Sequence, residues 1–290
     1  MSQVQKHFVA SSPLNPRMPL FRYFSPESAL RVLASGELMV TPPKYLNDPF
    51  ECSPVIRCKD PDAYIGRQID QITTSPEFFE THRNHFPGLT FEEFQSGLLR
   101  VVVELRKRLI PEVPVADSHT QSLVQEIISE RFGVICFAAD GLDQTMWAKY
   151  ASSHKGLVIE FQQSHQLFSG RSFFEIHYSE EPVVFDASSP TAQDDAKLFV
   201  SRKRLQWSSE RESRLLVELA LAIVHNLPEG RRYFIPIQPE IIVSVTLGLW
   251  VADQTQRNVI ELLRAPHFES VGVFKIRKNI EAGTFERQAL

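Results

Sequence analysis

The chain has 290 residues, 43% of them hydrophobic and 23% charged, which supplies a core and excludes disorder over most of its length. Its 31 basic and 35 acidic side chains leave a formal net charge of -4, so charge gives no support to a protein that grips nucleic acid through phosphates. Three cysteines, Cys52, Cys58 and Cys136, make no CxxC pair and argue against a disulfide framework. No apolar run reaches membrane-spanning length and the first ten residues lack a secretory core, so the expected compartment is the cytoplasm.

Residues 1–19 hold Pro13, Pro16 and Pro19 without apolar periodicity and read as a flexible N-terminal arm. A short strand follows over 20–24. Ser25-Pro26-Glu27 then offers a hydroxyl N-cap and a proline at the first helical position, and Gly36 offers the left-handed stop. A strand over 37–41 ends at Pro42-Pro43, and 44–51 is a loop rich in turn formers. Residues 60–131 read as a helical insertion. Ser75-Pro76-Glu77 starts one helix, the capping box Thr90-Phe91-Glu92-Glu93 starts another that runs to about Leu109, and 118–131 forms a third.

The second half is richer in strands. They are expected over 134–138, 157–161, 173–178, 214–219, 241–247 and 270–276, with helices over 143–151, 192–206 and 252–263. The reading is α+β: a flexible arm, then a single domain over 20–290 carrying the helical insertion at about 60–131.

Glycine-rich phosphate loops, HExxH and GxSxG are all absent, and the nine histidines lack ligand spacing, so no metal is expected. Costly side chains cluster in three places instead. In 146–156, Trp147 and Tyr150 lie three apart on a helix face, followed by His154, Lys155 and Gly156. An aromatic wall beside a cation and a flexible glycine suits a flat ligand bearing phosphate or ribose, although Trp147 alone reads as core. In 203–214, Lys203 and Trp207 lie four apart at a helix end. Glu210, Glu212 and Arg214 alternate with the period of one strand face, which suits a cleft lining or, more blandly, a charged edge strand. Arg22 interrupts an apolar strand beside Tyr23, and Asn47-Asp48-Pro49-Phe50-Glu51 forms a turn-like loop. The basic triplets Arg106-Lys107-Arg108 and Arg202-Lys203-Arg204 read as solvated helix faces, and Cys136, in the apolar run 134–137, as an inert buried thiol.

In order, Phe21-Arg22-Tyr23, Asn47 to Glu51, Cys136-Phe137, Met146 to Ala151, His154 to Gly156, and Lys203, Trp207, Glu210, Glu212 and Arg214 resemble a bacterial family described as a domain of unknown function. The resemblance spans about Leu20 to Leu219 and departs at Lys149, where that family usually has His. The family is in turn similar to a remote branch of the ADP-ribosyltransferases. That similarity rests on an early strand with Arg or His, a middle Tyr before a Gly-led strand and a late Glu-x-Glu.

The resemblance implies an ADP-ribosyltransferase-like mixed-sheet core and a chain that breaks the nicotinamide–ribose bond of NAD, in the setting of a bacterial toxin or phage-defence effector. Glu212 would be the catalytic carboxylate and Glu210 the residue that positions the acceptor, and the two can exchange these roles. Arg22 would bind ribose or diphosphate, Tyr150 would stack on nicotinamide, and His154 and Lys155 would meet phosphate or ribose. Tyr23, Trp147, Lys203, Trp207 and Arg214 complete the cofactor-binding set, with Asn47, Asp48 and Glu51 elsewhere in the cleft. The expected partners are a nucleotide and a protein or nucleic-acid acceptor, with no membrane. A non-catalytic nucleotide- or partner-binding protein of stress or phage defence, and an enzyme acting on another nucleotide or on RNA ends, stay open as alternatives.

Overall fold

A computed structural model describes residues 19–109, 118–168, 172–186, 188–189, 199–228 and 230–290; the N-terminal arm, Pro19 apart, lies outside them. The first part of the chain runs β1 Leu20–Phe24, α1 Pro26–Ser35, β2 Glu37–Val40, β3 Val55–Arg57, α2 Pro61–Thr74, α3 Pro76–Thr81, α4 Phe91–Leu109 and α5 Ser118–Arg131. It continues through β4 Phe132–Ala138, α6 Gln144–Tyr150, β5 Leu157–Phe161, β6 Ser172–Glu175, β7 His177–Ser179, β8 Val184–Asp186 and β9 Arg202–Arg204. The last part holds β10 Glu212–Glu218, β11 Ile223–Leu227, β12 Gly230–Pro236, β13 Ile242–Leu247, α7 Asp253–Leu263, β14 Gly272–Asn279 and β15 Thr284–Ala289. The class is α+β, and no described helix is long and apolar enough to cross a membrane.

The backbone divides into two compact units. One gathers Met1–Cys52, Gln125–Glu181 and Val200–Leu290; the other gathers Ser53–Val124 and Pro182–Phe199. In the smaller unit α2 packs on α4, and Phe79 is buried among the rings of Phe86, Phe91 and Phe94. The capping box forms there as its sequence dictates, with Glu93 N–H donating to Thr90 Oγ1 at 3.2 Å and Thr90 N–H to Glu93 Oε2 at 2.8 Å. A parallel pair, β3 with β8, completes the described part of this unit.

The larger unit is built on an eight-stranded mixed sheet in the order β15-β14-β13-β5-β1-β4-β10-β6, with β13 and β14 parallel and the remaining neighbours antiparallel. The period-two alternation of each strand sorts its side chains between two faces. One face buries Leu20, Phe24, Ile135, Phe137, Leu215 and Val217 together with Val32 and Leu33 of α1 and Val259 and Leu263 of α7. The other carries a smaller apolar cluster of Phe21, Tyr23, Ala138, Met146 and Trp147, and beside it the polar residues of β10. A three-stranded sheet, β11-β12-β2, is joined through the bridge Thr41↔Val134.

The start and stop of α1 follow the sequence closely. Ser25 accepts from the Ser28 N–H, Pro26 fills the first position, and Gly36 closes the helix at φ 65. Three expectations need correction. The helix expected over 192–206 is, where described, helical only at 199–201; it gives way to strand β9 and a 3-10 turn over Leu205–Glu210. The strand expected over 173–178 breaks at Ile176 into β6 and β7. The β11–β12 hairpin and β15 had no counterpart in the reading, because exposed strands such as Ile223–Leu227 and Thr284–Ala289 alternate weakly.

Gly156 and Gly248 mark the tightest backbone crossing. Gly248 N–H donates to the Gly156 carbonyl at 2.9 Å, and a Cβ on Gly156 would collide with the carbonyl oxygen of Phe24. Gly156 is thus a close-approach residue, where the sequence suggested a flexible one. Gly156→Ala is expected to destabilise by about 3 kcal/mol through overpacking against backbone that cannot yield. Gly97→Ala, on an exposed turn of α4 with open space, should stabilise by about 1 kcal/mol. Urea denaturation of both variants checks the contrast.

Candidate functional site

β1 and β4 share one registered pair, Phe21↔Ala138, whereas β4 and β10 are paired along their whole length from Glu212↔Ala138 to Glu218↔Phe132. A cleft of about 260 Å³ lies where β1 and β4 share so little of a ladder. Arg22 and Tyr23 come to it from β1, Cys136 from β4, Glu212 and Arg214 from β10, Lys203 from β9 and Tyr150 from α6. Glu210, Asn47 and Tyr45 also line it.

The floor is a buried ionic network. Lys203 Nζ donates to Glu210 Oε2 at 2.8 Å and to Glu212 Oε2 at 2.9 Å, and lies 3.7 Å from Glu51 Oε2. Arg214, fully buried, donates from Nε to Glu212 Oε1 at 2.5 Å and from Nη1 to the Val200 carbonyl at 3.0 Å, and pairs through Nη2 with Glu51. Burial alone would push the Lys203 ammonium down, but the Glu212 and Glu210 carboxylates outweigh it and hold it above its ordinary value. Burial raises the Glu212 carboxyl, against Lys203 and the Cys136 thiol, which donates to it. The same burial, with Glu212 adjoining, keeps that thiol well above the usual cysteine range and hence protonated.

Glu210 reaches this network by a route the spacing did not anticipate. It sits in the turn before β10, not on the strand, and Arg211 at φ 42 in the left-handed region precedes the strand's first residue. Only Glu212 and Arg214 share a strand face. Glu210 Oε1 accepts from the Tyr150 hydroxyl at 2.7 Å, and the same hydroxyl accepts from Asn47 Nδ2 at 2.8 Å. Burial and then the Glu210 bond raise the Tyr150 phenol.

Arg22 is the cleft's unpaired cation. Nη2 donates to the Met39 carbonyl at 3.2 Å, Nη1 is buried without a hydrogen-bond partner, and no carboxylate pairs with it among the described residues. Burial lowers its pKa, with Cys136 opposing. A desolvated guanidinium with an open nitrogen favours an anionic or oxygen-rich ligand.

The remaining expected site residues divide. Asp48 is buried and accepts from the Phe50 N–H at 3.0 Å, so it shapes the loop that delivers Glu51. Tyr23 lines the cleft, but its hydroxyl donates to the Asp140 carbonyl at 2.7 Å. Trp207 lies outside the lining, half-buried, with Lys149 Nζ 4.4 Å and Lys203 Nζ 5.2 Å from its ring centroid. Trp147 is fully buried and donates from Nε1 to the Gly141 carbonyl at 2.9 Å, which makes it core. His154 and Lys155 do not reach the cleft: His154 lines a separate groove with Lys278 and Phe285, and Lys155 is exposed.

Two residues change standing. Lys203 is 6% exposed on a strand, not on a solvated helix face, because its ammonium is drawn in by the carboxylates. Cys136, expected as an inert buried thiol, stays protonated but lines the cleft, half-buried; its register opposite Arg214 places it there. Among the described residues no group of three or more His, Cys, Asp and Glu could hold a metal. No protein-family model, curated protein or solved structure matches the chain.

Lys203→Met would leave buried Glu51 and Glu212 to Arg214 and Glu210 to Lys149 at 3.9 Å, and is expected to cost about 3–5 kcal/mol of unfolding free energy in urea titrations. The raised Lys203 pKa also sets a pH dependence. Above the ordinary lysine value of about 10.4 the unfolded chain releases a proton that the folded chain keeps, so stability is complete below that pH and falls as pH rises toward the folded value. Alkaline melting of the wild type should show this loss, and Lys203→Met should lack that component.

Proposed function

We propose that this chain is an ADP-ribosyltransferase-like enzyme that cleaves the nicotinamide–ribose bond of NAD. The observation that carries the reading is the meeting of Arg22, Tyr150 and the buried Glu210 and Glu212 on one cleft, from three separate segments. In the reaction nicotinamide leaves with the bonding electron pair, and the ribose carbon becomes oxocarbenium-like. The acceptor, or water, then supplies a lone pair and gives up a proton. A fixed carboxylate beside that cation stabilises it, and Arg22 supplies the fork for ribose or phosphate oxygens. A cleft of about 260 Å³ is below the ~300–1,000 Å³ usual for a whole ligand, so it would take the nicotinamide-ribose end.

Hydrogen bonding supports the exchanged order of the glutamates, the second of the two that the resemblance leaves open. Both glutamates are bonded at both oxygens, but Glu212 is held only by cations, Lys203 and Arg214, which suits it to position Lys203. Glu210 Oε1 meets the Tyr150 hydroxyl, with Lys149 Nζ at 3.9 Å, and is the carboxylate placed to face the developing cation. A second reading, a non-catalytic nucleotide- or partner-binding protein, draws support from the same network, since a carboxylate pair saturated by cations also serves as a fold-holding element.

Release of free nicotinamide from NAD by the purified chain separates the two. Glu210→Gln and Arg22→Met should each lower turnover by about 100-fold or more, measured at a temperature where circular dichroism shows the variant folded. No nicotinamide release, together with no rise in melting temperature on adding NAD, would remove the enzymatic reading. A rise in melting temperature without product would support the binding reading.

A further inference from the structure

We propose that the groove lined by α6, the Ser152–His154 turn and the β14–β15 hairpin is a second ligand site, taking a planar aromatic ring that bears a phosphate, the chemistry of a mononucleotide. The groove measures about 600 Å³ and is lined on one side by Gln144, Thr145 and Ala148 and on the other by Lys278, Asn279 and Phe285, with His154 between. Its volume falls in the ~300–1,000 Å³ range of small-molecule sites. It is distinct from the cleft: Met146 and Tyr150 of α6 line the cleft, and Gln144, Thr145 and Ala148 lie on the opposite helix face.

Charge and ring placement point to the ligand class. No carboxylate lines the groove, and Lys278 is its one charged wall residue; Lys278 pairs with no carboxylate among the described residues. An ammonium in that setting favours a phosphate. The imidazole of His154 stands edge-on to Phe285 at 5.5 Å and to Trp250 at 5.2 Å, and Lys278 Nζ lies 5.8 Å from the Trp250 ring centroid. Trp250 is 55% exposed and lies outside the groove's lining, beside the lining residues His154 and Lys278, where its indole can extend the wall for a ligand ring. His154 Nδ1 is buried without a partner, and burial followed by Lys278 lowers the imidazole pKa, so the ring presents no competing positive charge at neutral pH.

The wall is also built in advance of any ligand. Ser152, Ser153 and His154 all adopt left-handed backbone, at φ 47, 53 and 65, a run that an unconstrained chain avoids. It persists because His154 N–H donates to the Trp147 carbonyl at 3.1 Å and Trp250 N–H to the His154 carbonyl at 3.0 Å. Gln144 Nε2 donates to the Gly283 carbonyl at 2.8 Å and ties α6 to the hairpin across the groove.

Isothermal calorimetry of the full chain with AMP, adenosine and inorganic phosphate tests this. AMP should bind saturably and more tightly than either fragment. Lys278→Met, at an exposed position, should weaken AMP by about tenfold, and Trp250→Ala should weaken both AMP and adenosine. Absence of saturable AMP binding at millimolar concentration overturns the proposal. So does AMP binding that survives Lys278→Met and is lost in Arg22→Met, which would place the nucleotide in the cleft. The AMP measurement involves no NAD turnover, so its failure and the failure of the enzymatic reading are separate results.

Discussion

The Lys203 ammonium, sealed from water among Glu51, Glu210 and Glu212, is the interaction on which the cleft depends. Removing such charges from water is costly, and the cost is met only if every partner holds good geometry. That requirement ties the loop carrying Glu51 to one continuous stretch far along the chain, formed by strand β9, the turn before β10 and β10 itself. Arg214 repeats the arrangement one layer deeper, with Glu212 and Glu51 as its carboxylates. The result is a stiff floor whose charges are committed to each other. Among the described residues of the cleft, Arg22, whose Nη1 has no hydrogen-bond partner, is the cation with binding capacity in reserve.

The sheet explains how this floor comes to face a cavity. β10 is paired with β4 over seven residues and places Leu215 and Val217 in the main core, which fixes the opposite face of the strand for Glu212 and Arg214. β1 is fastened mainly to β5 on its other side, over five registered pairs, so Arg22 stands at a gap in the ladder. Helix α6 covers this region with Met146 and Tyr150 and is itself anchored by the buried Trp147. Tyr150 then links the helix to the floor through Glu210 and to the loop through Asn47. Cleft and groove are thus walled by one short helix, and the Gly156–Gly248 crossing holds the turn that leaves it.

Sequence alone determined what local chemistry can dictate. Ser25, Pro26 and Gly36 bound α1, Thr90 and Glu93 start α4, and the strands with strong apolar content, Leu20–Phe24, Leu157–Phe161 and Ile242–Leu247, lie where their composition puts them. It also singled out Arg22, Asn47, Tyr150, Lys203, Glu210, Glu212 and Arg214, since charged and aromatic residues embedded in apolar segments are costly unless they meet partners. Tertiary structure decided which of those partners they meet. His154 and Lys155 are four and five residues from Tyr150, yet three left-handed residues turn His154 into a different groove. Trp147, which read as core on its own and as cofactor-binding only through the resemblance, is fully buried. Cys136 was marked only by the Cys136-Phe137 match of the family resemblance, because its place at the cleft follows from a strand register fixed by residues nearly eighty positions away. Burial of Lys203 was decided by folding: a basic triplet reads as solvent-facing until the turn into β10 brings Glu210 and Glu212 back, and the distant loop brings Glu51, onto its central residue.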